Sequence, residues 1–317
     1  MISFGPVPSR RLGKSLGINN IVSPKVCSYS CIYCQVGQTK NKSIERDTFF
    51  QPEIIYKSVV KHIDLLSPDN YPDYLTIVSN GEPTLDKNLG KTIKLLKNIG
   101  IPIAVITNAS LLSCKSVADD LHLADWVSLK MDTAVKDKWQ LINRPAIGLD
   151  FEKNIRSLLL FTREYKGKLC TESMIVDGVN DSEEELLILA EYIEKINPWK
   201  AYLSIPIRPP AEKWVKPPDT EKLNRAWQIF NDLHIKTELL TGFEGSDTGF
   251  TGNIYEDILN ITAVHPLRED SLLKLLEKDN ADYLAVESLI QQKLIRSTVY
   301  NGKKFFLREY HINENNK

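Results

Sequence analysis

Three closely spaced cysteines are the residues of this chain best suited to chemistry. Cys27, Cys31 and Cys34 lie in the segment Cys-Ser-Tyr-Ser-Cys-Ile-Tyr-Cys, a C-x3-C-x2-C pattern with the aromatic Tyr33 directly before the last cysteine. A closed structural zinc site and a 4Fe–4S cluster held only by cysteine each need four protein ligands, and no fourth cysteine lies nearby. The spacing therefore indicates a metal centre with one open position, which is typical of a catalytic site.

Other uses of these cysteines stay open at this point. A zinc site made of the triplet and a distant fourth ligand is one, because the chain has five histidines, although none lies in the cysteine loop. A disulfide scaffold is disfavoured, because five cysteines in 317 residues are few and odd in number and no apolar N-terminal segment indicates secretion. Cys114 and Cys170 are expected to be ordinary buried thiols.

The composition is typical of a globular protein, with 42% hydrophobic and 26% charged residues. The length allows one large core and a small appended domain. The 40 basic and 41 acidic residues give a net charge of −1, so no overall charge attracts nucleic acid or an anionic membrane. We expect no membrane partner and a cytoplasmic location, where thiolates stay reduced.

Strand-like and helix-like runs alternate from about residue 16 to residue 207, which predicts an α/β fold with a parallel sheet and right-handed connections. The expected strands are 16–21, 73–79, 101–106, 126–132, 168–176 and 201–207. The expected helices are 52–66, 86–99, 113–122, 150–165, 181–196 and 219–234. In such sheets, functional residues collect at the carboxyl ends of the strands.

The cysteine triplet follows the first of these strands, and the loop Ser-Asn-Gly-Glu-Pro-Thr, residues 79–84, follows the second. Together they resemble the radical S-adenosylmethionine (radical SAM) superfamily. The resemblance implies a partial (β/α)6 TIM-like barrel, a 4Fe–4S cluster on Cys27, Cys31 and Cys34, and S-adenosylmethionine on the open iron. It also implies an external electron donor and cleavage of the cofactor to a 5′-deoxyadenosyl radical. Asn80, Gly81, Glu82 and Pro83 would bind the methionine end of the cofactor. Asn80 replaces the usual first glycine, and asparagine tolerates positive φ.

Polar residues at the ends of later strands extend this candidate site. Alternation along 126–132 places Ser128, Lys130 and Asp132 on one face, where they would face the barrel interior. The remaining candidates for cofactor binding are Tyr33, Asn108 and Glu172. Simpler alternatives remain for two of these groups: Lys130 and Asp132 could pair with each other, and Asn108 could only form a turn.

The N-terminal segment Gly-Pro-Val-Pro-Ser-Arg-Arg-Leu-Gly, residues 5–13, resembles, with the two motifs above, a subgroup of Fe–S oxidoreductase-like radical proteins. That subgroup is related to the enzymes that synthesise wyosine in tRNA. The additional upstream cysteines of the archaeal wyosine enzymes are absent here, which argues against wyosine synthesis itself. Arg10, Arg11, Arg144 and Arg208 are candidates for binding an anionic group, or are ordinary solvated charges. The loops 208–218 and 242–253 are candidate substrate-binding segments.

Residues 256–317 are expected to form a winged-helix-like domain beside a barrel of residues 1–255. Two amphipathic segments, 269–278 and 281–294, precede a hairpin signalled by Asn301-Gly302, with Lys303 and Lys304 at its tip. Between residues 265 and 311, eight basic residues face seven acidic ones, so an RNA or a protein partner is equally compatible with this domain.

The sequence thus predicts a radical SAM enzyme acting on an unidentified substrate, with RNA or another macromolecule preferred. The alternative is a zinc- or cluster-containing regulator that binds nucleic acid and does no catalysis.

Overall fold

An open and mostly parallel β-sheet forms the centre of the protein in a computed structural model that describes residues 2–22, 24–242, 245 and 248–309. The strands are β1 (Ser3–Ser9), β2 (Gly13–Ile18), β3 (Val26–Cys27), β4 (Asn41–Lys42), β5 (Tyr74–Ile77), β6 (Ile103–Thr107), β7 (Trp126–Lys130), β8 (Lys168–Met174), β9 (Lys200–Ser204), β10 (Thr237–Leu240), β11 (Leu267–Arg268), β12 (Ile295–Tyr300) and β13 (Lys303–Arg308). The helices are α1 (Pro52–Asp64), α2 (Leu89–Leu96), α3 (Lys115–Leu121), α4 (Lys136–Asn143), α5 (Phe151–Glu164), α6 (Glu183–Ile196), α7 (Thr220–Asp232), α8 (Ile254–Val264), α9 (Glu269–Lys278) and α10 (Leu284–Gln291).

The main sheet has the order β1-β2-β5-β6-β7-β8-β9-β10. Strand β1 runs antiparallel to β2, and every later neighbour is parallel. The six predicted strands are all present, with helices between them, so the predicted α/β fold with a partial TIM-like barrel is confirmed. Two further strands, β1 and β10, form its edges.

The elements that sequence reasoning missed have identifiable causes. Strand β1 contains Pro6 and Pro8, which argue against a strand, but prolines are tolerated at a sheet edge and β1 is an edge strand. Helix α4 is only eight residues long and buries only Trp139, Ile142 and Asn143, so its apolar periodicity is weak. The first strand was also expected at 16–21, whereas it runs from Gly13 to Ile18.

Alternation along the strands sorts the side chains into two layers. In β7, Val127 and Leu129 pack outward into the core shared with the helices, whereas Trp126 packs in the inner layer with Cys170 and Tyr202. Because a strand has period two, Ser128 and Lys130 face the same interior as Trp126. Apolar side chains fill the lower part of the barrel, and polar side chains lie above them.

Helix α8 and the elements after it form a second core with a three-stranded sheet of order β11-β13-β12. The two expected helices and the hairpin are present, and Asn301 and Gly302 both have positive φ, as a two-residue hairpin turn requires. Phe4 of β1 packs into the same core. The winged-helix assignment and the division at residue 255 stay predictions, and residues 310–317 lie outside the described residues.

No helix in the described part of the chain is long and apolar enough to cross a membrane.

Candidate metal and cofactor site

The cysteine loop is held along the end of α4 by backbone hydrogen bonds. Ser30 N donates to Asn143 O at 2.9 Å, Ile32 N donates to Ile142 O at 2.9 Å, and Ala146 N donates to Ser28 O at 2.8 Å. These hydrogen bonds fix alternate residues of the loop, Ser28, Ser30 and Ile32, to the end of α4 and the residues just after it. Such rigid support preorganises the cysteine ligands.

Each of the three thiols has an N–H donor of its own. Lys25 Nζ lies 3.1 Å from Cys34 Sγ, Asn108 Nδ2 lies 3.5 Å from Cys27 Sγ, and Asn143 Nδ2 lies 3.5 Å from Cys31 Sγ. Hydrogen bonds to ligating sulfurs stabilise their negative charge and tune a bound cluster. This donor set therefore fits a thiolate-ligated iron–sulfur cluster.

Burial raises the pKa of two of these thiols, Cys27 and Cys31. Burial, followed by the charge of Glu82, raises the pKa of Cys27. Burial, followed by the charge of Asp132, raises the pKa of Cys31 to about 12. Within the described residues, no group of three or more His, Cys, Asp or Glu side chains is placed to hold a single metal ion. In a cubane cluster, by contrast, each thiolate binds its own iron.

Gly81 brings the loop after β5 into contact with the cysteine loop. A Cβ atom on this residue would lie 1.8 Å from Val26 O, so only glycine fits. Glu82 N donates to that same Val26 oxygen at 3.1 Å. Neither Asn80 nor Gly81 has a positive φ, so the expectation that Asn80 is tolerated for its positive φ is wrong. The requirement at this turn is close approach, and Gly81 meets it.

The Glu82 carboxylate is buried at the end of β6. It accepts hydrogen bonds from Thr84 N at 3.0 Å, Thr84 Oγ1 at 2.6 Å, Thr107 Oγ1 at 2.6 Å and Asn108 N at 2.8 Å. Burial is the largest effect on its pKa and raises it against these donors. Asn108 donates its backbone N–H to Glu82 and its side-chain amide to Cys27, so this one residue joins the Glu82 loop to a predicted ligand. The predicted contact of Glu82 with the cofactor stays a prediction.

Asp132 anchors the cysteine loop from β7. Its carboxylate accepts from the Tyr33 hydroxyl, from Asn143 Nδ2 at 2.7 Å and from Met174 N at 2.9 Å. Ser128 lies two residues before Lys130, on the same face of β7. It is buried, and its Oγ has no hydrogen-bond partner among the described residues. The orphaned Ser128 hydroxyl leaves one polar group inside the barrel for a ligand.

Lys130 pairs with Glu172 rather than with Asp132. The Lys130 Nζ to Glu172 Oε1 distance is 3.2 Å, and Arg11 pairs with the other carboxylate oxygen. Lys130 Nζ also lies 5.1 Å from the centre of the Tyr33 ring. Burial would raise the pKa of Glu172, but the charges of Arg11 and Lys130 outweigh it and lower the pKa to about 2.

Glu172→Gln is expected to lower the free energy of unfolding by about 3 kcal/mol at pH 7, because two partly buried cations lose their carboxylate partner. The folded pKa of about 2 is below the ordinary value of 4.5. The stabilisation is therefore complete above about pH 4.5 and is lost as the pH falls towards 2. Urea unfolding of the metal-free protein from pH 7 to pH 3 measures both effects.

The matched control is Glu238→Gln on β10, whose half-buried carboxylate pairs with Lys200. We expect a loss of less than about 1 kcal/mol there. Equal losses for the two variants, or a wild type that shows no steeper acid dependence than Glu172→Gln, would contradict the role assigned to Glu172.

Tyr29, inside the cysteine loop, ties that loop to two helices. Its buried hydroxyl accepts from Trp139 Nε1 at 2.9 Å and from Asn154 Nδ2 at 2.8 Å. The Trp139 ring packs edge-on to Tyr29 with ring centres 6.0 Å apart. These contacts fix the loop beneath the thiols.

Tyr29→Phe is expected to cost about 2 kcal/mol of unfolding free energy, because it leaves two buried donors without an acceptor. Urea unfolding checks the value. Tyr71→Phe is the control, since Tyr71 is exposed and should lose almost nothing. A Tyr29→Phe protein as stable as this control would show that the two hydrogen bonds contribute no stability.

The candidate arginines have different partners. Arg10 donates to the backbone oxygens of Leu239 and Gly242, Arg11 pairs with Glu172, and Arg144 pairs with Glu212. Arg208 Nη1 donates to Gln35 Oε1 at 3.2 Å, and Arg208 Nη2 lies 2.9 Å from His265 Nε2. Their predicted contacts with a substrate stay predictions.

Sequence reasoning missed Lys25, Asn143 and Gln35. Gln35 directly follows the last cysteine, and its Nε2 donates to Val264 O at the end of α8. With Arg208, it connects the cysteine loop to both the barrel and the C-terminal elements. The only available signal was the closeness of Lys25 and Gln35 to the cysteines in sequence.

Comparison with known proteins agrees with this geometry. A family model described as the radical SAM superfamily matches residues 21–190, which is more than half of the chain. This chain belongs to the radical SAM superfamily. The radical SAM protein is 44% identical to a UPF0026 protein of Methanocaldococcus jannaschii over 99% of this chain and 98% of that protein.

Two solved structures share the fold of this radical SAM protein. SuiB of Streptococcus suis has a TM-score of 0.53 and 15% identity, covering 72% of this chain and 49% of SuiB. The protein anSMEcpe with bound AdoMet has a TM-score of 0.51 and 19% identity, covering 70% of this chain and 64% of that one.

The predicted recognition is therefore confirmed, and the chain is a radical SAM enzyme. The cofactors predicted from the sequence, a 4Fe–4S cluster and S-adenosylmethionine, are those of its superfamily. The link to the wyosine-synthesising enzymes and the assignment of individual site residues stay predictions.

Proposed function

We propose that Cys27, Cys31 and Cys34 bind a 4Fe–4S cluster and that the enzyme cleaves S-adenosylmethionine reductively. The observation that carries the proposal is the separate N–H donor at each thiol, from Lys25, Asn108 and Asn143. The bound cluster would supply the electron that cleaves the cofactor to methionine and a 5′-deoxyadenosyl radical.

The residues of this chain would bind the cofactor, orient it and exclude water from the site. The Gly81 loop would present its backbone to the methionine end of the cofactor, because it lies against Val26 beside Cys27. The rest of the cofactor site is proposed to be lined by Tyr33, Asn80, Glu82, Pro83, Asn108, Ser128, Lys130, Asp132 and Glu172. Asp132 and Glu172 act mainly by positioning, since their oxygens accept hydrogen bonds or ion pairs from other residues.

The substrate is proposed to be a macromolecule, RNA before protein, that approaches the barrel mouth, and the electron is proposed to come from an external donor. The competing idea of a regulator without catalysis is disfavoured by membership in an enzyme superfamily. The position of the loop 208–218 favours substrate approach at the barrel mouth. Glu212 N donates to Ile32 O at 2.9 Å, and this hydrogen bond holds the loop against the cysteine loop.

Anaerobic reconstitution tests the proposal. After incubation with iron and sulfide, the protein should contain about four irons per chain. With a chemical reductant and S-adenosylmethionine, it should form 5′-deoxyadenosine, measured by chromatography. Uptake of zinc without iron, or iron uptake without any 5′-deoxyadenosine, would overturn the proposal.

A further inference from the structure

A basic cleft lies where the barrel mouth meets the C-terminal elements. Its largest cavity, about 640 Å³, lies between the residues that follow Cys34, the loop 208–218, the end of α8 and the hairpin β12–β13. Two smaller cavities adjoin it: one shares Tyr300 with it, the other shares His265, and Arg208 lies in the walls of both smaller cavities. We call these three cavities together the junction cleft.

The charges of the junction cleft are all of one sign. Its lining contains no Asp or Glu among the described residues, and its basic residues are Lys40, Arg208, Lys213, Arg268, Arg296, Lys303 and Arg308. The chain as a whole has 40 basic and 41 acidic residues, so this sign is a local property of the cleft. A concave wall of one sign concentrates ligands of the opposite charge.

Nearby carboxylates are already paired. Glu212 contacts Arg144 and Gln38, and Asp270 contacts Arg268. Lys40, Lys213 and Arg296 are exposed and make no ion pair with a carboxylate in the part of the chain that the structure describes. These three cations are therefore available to a ligand.

The cleft also offers apolar and aromatic surface. Val299 is 69% exposed on its wall, and Tyr300 belongs to two of its cavities. Cations that track a backbone, together with aromatic rings on which bases stack, are the surface that binds single-stranded nucleic acid.

We propose that the junction cleft binds the phosphates of a single-stranded nucleic acid, with a base against Tyr300. This inference names the substrate class of the proposed function and rests on it for the chemistry, but binding itself is measured separately. The cleft wall includes Gln35, which directly follows Cys34, so a strand bound there would lie beside the proposed cluster. An acidic protein is the competing ligand.

The experiment is fluorescence anisotropy with the reconstituted protein and labelled 12-nucleotide RNA and DNA single strands. We expect Kd tighter than about 10 μM at low salt, with a log–log salt slope of roughly −2 to −3 for three or four phosphate contacts. The RNA and DNA arms distinguish the two sources of the same phosphate chemistry. Poly-glutamate is added as a competitor that stands in for an acidic protein.

Lys213→Glu/Arg296→Glu should weaken binding at least 10-fold and make the salt slope shallower. Both side chains are exposed, so the fold is preserved, and the single variants Lys213→Ala and Arg296→Ala should each weaken binding by a smaller factor. The matched control is Lys91→Glu/Lys94→Glu on α2, which makes the same change in charge on the outer face and should change Kd less than 2-fold.

The proposal would be overturned if the protein bound neither the RNA nor the DNA strand, or if the control variant weakened binding as much as the cleft variant. It would also be overturned if poly-glutamate displaced the labelled strand as effectively as unlabelled RNA does. Iron content and 5′-deoxyadenosine formation are measured on the same samples. If the protein contains its cluster and cleaves the cofactor but binds neither strand, only the proposed nucleic-acid binding by the junction cleft is wrong. If it binds the strands but has no cluster or does not cleave the cofactor, only the proposed function is wrong.

Discussion

Cys31→Ala protein is expected to take up little iron and to form no 5′-deoxyadenosine above background. Three thiolates would each hold one iron, so removal of one leaves two ligands for a cluster that needs at least three from this chain. Neither other cysteine is placed to replace it. Cys170 is buried in the inner apolar layer, as expected, whereas Cys114 was wrongly expected to be buried and lies exposed at the start of α3.

Iron analysis and chromatography of the reaction products measure this prediction directly. Cys114→Ala is the matched control, because the Cys114 thiol lies at the start of α3 beside the Ser116 hydroxyl. The variant should keep wild-type iron content and activity. Cys31→Ala protein with about four irons and normal turnover would show that Cys31 is not a ligand.

Local patterns in the sequence were enough to predict the barrel. Each inner strand combines apolar outward residues with a helix of period 3.6 after it, as Val127 and Leu129 show in β7. Strand β1 does not carry this signal, because its prolines are compatible only with an edge, and being an edge is a property of the whole sheet. Sequence reasoning therefore predicted the inner strands and missed this outer one.

The sequence predicted those residues of the candidate site that belong to a single motif or a single strand. The cysteines and Glu82 stand in motifs, and Ser128 and Lys130 share a face by period two. The partners of these residues come from distant loops. Lys130 pairs with Glu172, which also pairs with Arg11, instead of with Asp132. That choice depends on how β8 and the β1–β2 turn pack beside β7.

The hydrogen-bond donors at the thiols illustrate the same limit. Asn108 was predicted as a contact of the cofactor, yet its amide reaches Cys27 Sγ and Ser28 Oγ. Asn143 was overlooked beside Arg144, although it bonds both Cys31 and Asp132. A single polar residue at the end of a strand or a helix has no periodicity, so only the folded structure reveals which sulfur it contacts.

Gly81→Ala should abolish cofactor cleavage, lowering the rate of 5′-deoxyadenosine formation by about 100-fold or more. The added Cβ would lie 1.8 Å from Val26 O, and this neighbour is backbone that cannot rotate away. Relief of the clash must separate the Glu82 loop from the cysteine loop, and it breaks the Glu82 N to Val26 O hydrogen bond. A loss of this size corresponds to roughly 2.7 kcal/mol of transition-state stabilisation.

Gly242→Ala supplies the control for this substitution, because no atom of the described residues lies within 4 Å of the Cβ position there and the residue has no positive φ. Iron content and cofactor cleavage should stay within 2-fold of wild type in that protein. Gly81→Ala protein that retains its cluster but loses cleavage would locate the damage at the cofactor loop, and loss of both would show that Val26 transmits it to Cys27. Activity within 2-fold of wild type would mean that the two loops need not touch, and the arrangement proposed for the cofactor would then be wrong.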